Sequence, residues 1–253
     1  MSYKINDVIN VLEDLFPLEN AMDYDNPGLL TGNREVALKK ILLTLDCTMD
    51  SVKMAIEKEC NLIIAHHPII FGGIMSVSYD DPNGKILSEL IKNDIALYAC
   101  HTQLDCTEEF GNIAITEALG EKSKKLDTST IGVIMETDSY VEQFAYIVKN
   151  ALDCSGIITI SAPDKPVRKV FVQGGAFDEE NIDAIVKAGV DTVLTGEMKH
   201  HHMVLLGEFG IATLLCGHNA SERVYLPRLK NVLEGRIGDV MIFVDSGKER
   251  TLQ

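Results

Sequence analysis

The sequence predicts an α/β fold built of two similar halves, and three observations predict it. Helical and strand periods alternate almost from end to end of the 253 residues. An apolar fraction of 46% with 24% charged residues is ordinary globular composition, which sets disordered and fibrous classes aside. The second half repeats the element order of the first, and this length accommodates one large core or two lobes.

Ile5, Val8, Ile9, Leu12, Leu15 and Phe16 form an apolar stripe at helical spacing, which Pro17 ends. Residues 41–45 read as a strand and 50–59 as a helix with Val52, Ala55 and Ile56 inward. A short buried strand at 62–65 delivers His66-His67-Pro68. A helix at 85–92 carries Ile86, Leu87, Leu90 and Ile91, and a strand at 95–100 ends at His101. Residues 110–119 form a helix closed by Gly120. The polar, Lys/Ser-rich stretch 121–130 is the expected boundary, giving an N-terminal lobe 1–125 and a C-terminal lobe 126–253.

Residues 131–161 read strand, helix, strand. Then come a strand at 169–173, a tight turn at Gly174-Gly175, and a helix at 178–188 ended by Gly189. A strand at 192–195 precedes a helical stretch through Phe209, and a strand at 211–216 ends at Gly217-His218. A helix at 221–232 and a strand at 240–244 that closes a sheet complete the chain. Lys40-Ile-Leu-Leu-Thr aligns with Lys169-Val-Phe-Val-Gln, and Asn61-Leu-Ile-Ile-Ala with Asp191-Thr-Val-Leu-Thr. His66-His67 then falls opposite Gly196-Glu197, and His101-x-x-x-Asp105 opposite His218-x-x-x-Glu222.

Charge and cysteines narrow the function. With 23 Lys+Arg against 38 Asp+Glu the net charge is −15, which lacks the basic footprint of a nucleic-acid surface. No apolar run approaches the ~20 residues of a membrane span, and the N-terminus opens straight into an amphipathic pattern. The six cysteines include no C-x-x-C pair, which predicts a reduced, cytoplasmic protein. Cys100 and Cys216 each lie just before a histidine, where core packing competes with thiolate ligation.

The histidines carry the chemistry. In open α/β sheets ligands bind beyond the carboxyl ends of strands, where His66, His67, His101 and His218 all fall. Adjacent imidazoles at a strand end are costly in a core, since each needs polar partners; the bland reading is a pair of surface loop histidines. The two H-x-x-x-[DE] pairs shift that balance, because residues four apart share one helix face. Imidazole plus carboxylate suits Zn, Mn, Fe or Co, and His66, His67, His101, Asp105, His218 and Glu222 suffice for two ions. This points to a two-metal hydrolytic site.

Ile64-Ala-His66-His67-Pro68, His101-Thr-Gln-Leu-Asp105, Leu194-Thr-Gly196-Glu197 and Gly217-His218-Asn-Ala-Ser-Glu222, in that order, resemble the GTP cyclohydrolase I type 2 family, also called Nif-three-like proteins. Asp25-Asn26-Pro27-Gly28-Leu29, first of all a good turn, matches another short family segment. The resemblance implies a two-lobed α/β subunit, a dinuclear metal site in the cleft between the lobes and a ring-shaped homohexamer. The six residues above would be its ligands, with His101 alternatively placed behind them. Glu197 and His201, four residues apart, are expected to line the pocket as substrate contacts or proton carriers, with His200 and His202 solvated. Gly174-Gly175 offers backbone N–H groups to an anion or is a plain turn, and Tyr24 and Tyr98 carry no clear signal.

The leading expectation is therefore a metal-dependent hydrolase acting on a small nucleotide-like substrate. In the family's reaction an activated hydroxide opens the guanine ring at C8, with two divalent ions (Zn, Fe, Mn, Co or Ni) per subunit as cofactors. The alternatives are a metal-dependent phosphoesterase and a non-catalytic metal-binding scaffold or regulator.

Overall fold

The computed structural model describes residues 3–108, 110–126 and 131–247. The chain divides into two compact units, one made of Met1–Thr107 with Leu226–Gly247 and the other built on Glu108–Tyr225.

In the first unit, α1 (Ile5–Leu15) buries Ile5, Val8, Ile9 and Leu12 on one face. Its first turn is closed by the Lys4 amide donating to Asp7 Oδ2 at 2.7 Å. After β1 (Gly28–Thr31) and β2 (Ile41–Asp46), α2 (Met49–Lys58) starts at a Thr48 cap whose hydroxyl accepts from the Ser51 amide. β3 (Leu62–His67) leads to α3 (Pro82–Lys92), capped by Asp81 with Pro82 in the first turn. β4 (Ala96–Ala99) and the single turn α4 (Thr102–Asp105) follow. Ile56, expected inward, is 42% exposed, and Ile91 on α3 is 59% exposed. Val52 with Ala55, and Ile86 with Leu87 and Leu90, already fill the stripe each helix presents to the core.

The second unit runs α5 (Ile113–Ala118), β5 (Ser123–Lys125), β6 (Val133–Tyr140), α6 (Val141–Ala151) and β7 (Ile158–Ile160). β8 (Pro166–Ala176), a 3-10 turn and α7 (Ile182–Lys187) come next. They lead to β9 (Thr192–Glu197), α8 (His200–Glu208), β10 (Ala212–Leu215) and the short α9 (His218–Glu222). Phe171, Val193, Ile185 and Leu206 form the centre of its core. The single helix expected at 221–232 is two: α9, and α10 (Tyr225–Ile237) with Pro227 in its first turn, where a missing N–H costs nothing. α10 leads to β11 (Ile242–Val244).

The sheets explain where the chemistry falls. The first has the order β1-β4-β3-β2-β11, with β4, β3, β2 and β11 parallel and β1 antiparallel. The second has the order β5-β6-β8-β9-β10-β7, with β8, β9 and β10 parallel. Each thus contains a parallel β-α-β-α-β stretch whose strand ends deliver the residues singled out from sequence.

Two expectations change. The split at 125/126 gives way to a discontinuous first unit, because β11 pairs in parallel with β2 and so covers a strand that would otherwise be a sheet edge. Part of the expected boundary, 127–130, lies outside the described residues. Gly174-Gly175 is not a turn: β8 runs through both, with its register against β9 shifting between Gln173 and Ala176. Among the described residues no helix is long and apolar enough to cross a membrane.

Candidate metal centre

β3 is buried from Leu62 to His66 and ends at a half-buried His67. Its neighbour β4 ends one residue before Cys100-His101, so three imidazoles meet at the ends of adjacent parallel strands. Their ring centroids lie 5.0 Å (His66–His67), 5.2 Å (His66–His101) and 5.5 Å (His67–His101) apart. One ring nitrogen from each can be taken so that all three lie within 4.8 Å of one another. Asp105, at the end of α4, brings Oδ2 to 3.6 Å from His66 Nε2.

The other ring nitrogen of each histidine is already committed. His66 Nδ1 donates to the Cys100 carbonyl at 2.8 Å, His67 Nδ1 to Asp46 Oδ1 at 2.9 Å, and His101 Nδ1 to Asp25 Oδ1 at 2.8 Å. A carbonyl or carboxylate acceptor requires the proton at Nδ1, which leaves the Nε2 lone pair for a metal. Such outer partners fix tautomer and ring plane in metal centres, and here all three rings have one.

Asp25 is the most strongly held of these partners. Its side chain is fully buried, and besides His101 it accepts from the Thr102 amide (3.1 Å) and hydroxyl. Burial alone would raise its carboxyl, but the hydrogen bonds from His101 and Thr102 outweigh that and hold it at about 2. Asp46 comes to His67 by register, since the two residues stand opposite each other on β2 and β3. Cys100 serves through its backbone. Its thiol is buried and pushed well above its ordinary range by desolvation, so it stays protonated, and Cys216 likewise packs in the core. Five of the six cysteines are buried and none is in a disulfide.

The second unit carries the other candidate pair. His218 opens α9 and Glu222 lies one turn on, with His218 Nε2 and Glu222 Oε2 3.1 Å apart. His218 Nδ1 donates to Glu197 Oε1 at 3.0 Å, the same device as in the first unit. The carboxylate of Glu222 is nearly buried.

α9 reaches this position because the strands beneath it lack side chains. A Cβ on Gly175, which has φ +62°, would overlap the Glu222 carboxylate and lie 3.2 Å from His218 Nε2. One on Gly196 would lie 2.5 Å from the Gly175 carbonyl and 2.7 Å from Ser221 Oγ. Nor are the glycine amides presented to an anion: Gly174 N–H donates to Asn112 Oδ1 and Gly175 N–H to Ser221 Oγ. Gly175→Ala is expected to lower metal content and thermal stability together, read by elemental analysis and melting temperature. Metal content equal to wild type would show that α9 tolerates the shift.

The expected pairing of Glu197 with His201 does not form on one helix. Glu197 ends β9 and bonds His218, whereas α8 starts only at His200. His201 is exposed and packs against His202, with ring centroids 4.0 Å apart. His202, expected solvated, is buried, with Nε2 2.7 Å from Glu179 Oε2 and its ring against Phe177. Lys199 beside Glu179 holds that carboxyl below its ordinary range. Asp46 stands in none of the motifs read from the sequence, and Asp25 only in the turn segment that matches the family, without its contact to His101.

A family model described as Duf34/NIF3 (NGG1p interacting factor 3) matches residues 3–248. A Clostridium acetobutylicum protein named GTP cyclohydrolase 1 type 2 homolog is 31% identical over 247 residues, spanning 94% of this chain and 92% of that one. The solved structure of a Staphylococcus aureus hypothetical protein superposes with a TM-score of 0.91 at 25% identity, covering 100% of this chain and 99% of that chain. A Bacillus cereus protein related to NIF3 gives a TM-score of 0.91 at 22% identity over 100% of both chains.

Proposed function

This chain belongs to the Duf34/NIF3 family, and on that premise we propose that it is a dinuclear-metal-dependent hydrolase of the GTP cyclohydrolase 1 type 2 kind, acting on a nucleotide or related heterocycle. His66, His67, His101 and Asp105 are the ligands proposed from the first unit, and His218 and Glu222 those from the second. The observation that carries this reading is that each of the four histidines has Nδ1 committed to an acceptor. That is the arrangement of imidazoles held ready to ligate, not of histidines solvated on loops. The donor set of imidazole and carboxylate fits a hydrolytic divalent ion rather than a closed thiolate site.

Such ions, when bound, supply Lewis-acid polarisation of the attacked centre and a water acidic enough to react at neutral pH. The chain's own residues do the rest. Asp105 and Glu222 bring the negative charge that divalent cations need, in positions shielded from solvent. Asp25, Asp46 and Glu197 are positioning residues that hold the rings of His101, His67 and His218. Glu197 is thereby assigned to His218 rather than to a proton transfer with substrate.

A single-turnover assay of the metal-loaded protein with GTP, with products separated by mass, tests the activity. A ring-opened product formed by wild type and absent with Asp105→Ala is expected. Release of phosphate with the ring intact would replace this reading by phosphoester hydrolysis, and no product from metal-replete protein would overturn hydrolysis altogether.

A further inference from the structure

Beside the histidines of the first unit stand two aromatic rings that its core does not use. Phe71 is 54% exposed and Tyr24 60% exposed, although large apolar side chains are the groups a fold gains most by burying. Their rings meet edge to face at 6.2 Å between centroids, and Phe71 lies 6.5 Å from the His101 ring. The pair is held by the turn that orients the metal ligand: Tyr24 precedes Asp25, the acceptor for His101 Nδ1, and Asn26 Nδ2 donates to the Ile70 carbonyl at 2.7 Å. One short segment therefore fixes both a ligand histidine and the aromatic pair relative to it.

We propose that Tyr24 and Phe71 form a stacking wall that takes the planar ring of a heteroaromatic substrate and presents it to the histidine cluster. The proposal rests on the nucleotide reading above and adds the residues that would select a base. Stacking is a suitable means here because every base has a π-face, and a ring laid on Phe71 lies next to His101. A net charge of −15 disfavours holding a nucleotide by its phosphates through the protein alone, which leaves ring contacts a larger share of affinity.

The test is equilibrium binding of GTP, guanosine and inorganic tripolyphosphate to the metal-loaded protein, with metal content measured on every variant. Phe71→Ala, Phe71→Leu and Tyr24→Ala are expected to bind GTP and guanosine about ten- to hundredfold more weakly, with tripolyphosphate binding and metal content unchanged. Phe71→Tyr, which keeps the ring, is expected to match wild type. GTP affinity equal in wild type and in the alanine variants would overturn the wall and leave the nucleotide reading standing. Loss of metal in the alanine variants would overturn it in favour of a purely structural role for the pair. A wild type that binds neither GTP nor guanosine would overturn the wall and the substrate class together.

Discussion

Asp25→Asn is expected to weaken metal binding by about 10–100-fold, although Asp25 is not itself a proposed ligand. The reason is the division of labour between its two oxygens. Oδ1 accepts from His101 Nδ1, and Oδ2 accepts from both the amide and the hydroxyl of Thr102. An asparagine has one oxygen and one NH2 to offer. If the NH2 faces His101, the ring must move its proton to Nε2 and lose the lone pair a metal needs. If it faces Thr102, two donors oppose each other in a buried place, at about 1–3 kcal/mol. Metal titration together with denaturation separates the outcomes, since the first lowers affinity and the second lowers stability. Unchanged values for both would show that the buried contact holds nothing of consequence.

A second pair of substitutions divides ligand from positioning residue. His66→Ala removes a proposed ligand; structural zinc sites bind with about 10–16 kcal/mol over four ligands, so one is worth about 3 kcal/mol, or about 100-fold. Cys100→Ala, one strand away, is expected to leave metal affinity nearly unchanged. Cys100 serves His66 only through its carbonyl, which alanine keeps, and its thiol is held protonated by burial. Thiolate ligation would reverse the order, with Cys100→Ala losing the metal. Titration with Zn2+ reads both variants directly.

Much of this was legible in the sequence because parallel strands write a plain signal: an apolar run that stops abruptly at a polar residue. Leu62–His67 stops at His66-His67, Ala96–Ala99 shortly before His101, and Thr192–Glu197 at Glu197. Helix starts were legible where a cap or proline marked them, as at Thr48 and Asp81-Pro82. What stayed hidden depends on pairing between distant segments. β1, four residues led by a turn, is a strand only because β4 offers it an edge. β11 reads as a generic closing strand, and nothing local says that its partner is β2.

The site divides along the same line. The proposed ligands announce themselves by residue type and spacing, whereas the contacts that orient them do not. Asp46 ends an apolar run just as His66 does, a signal present in the sequence, but its meaning appears only when register sets it against His67. Asp25 reaches His101 across 76 positions. Glycine at 174–175 is ambiguous for a physical reason as well: a Gly175 that lets a helix sit on a strand looks, in sequence, like part of a turn or an anion cradle.

Metal stoichiometry, measured by elemental analysis of the purified, reconstituted chain and of Asp105→Ala and Glu222→Ala, tests the proposed dinuclear centre. Two divalent ions per chain are expected in wild type and fewer in each variant. The full complement retained by both variants would rule out the proposed ligand set.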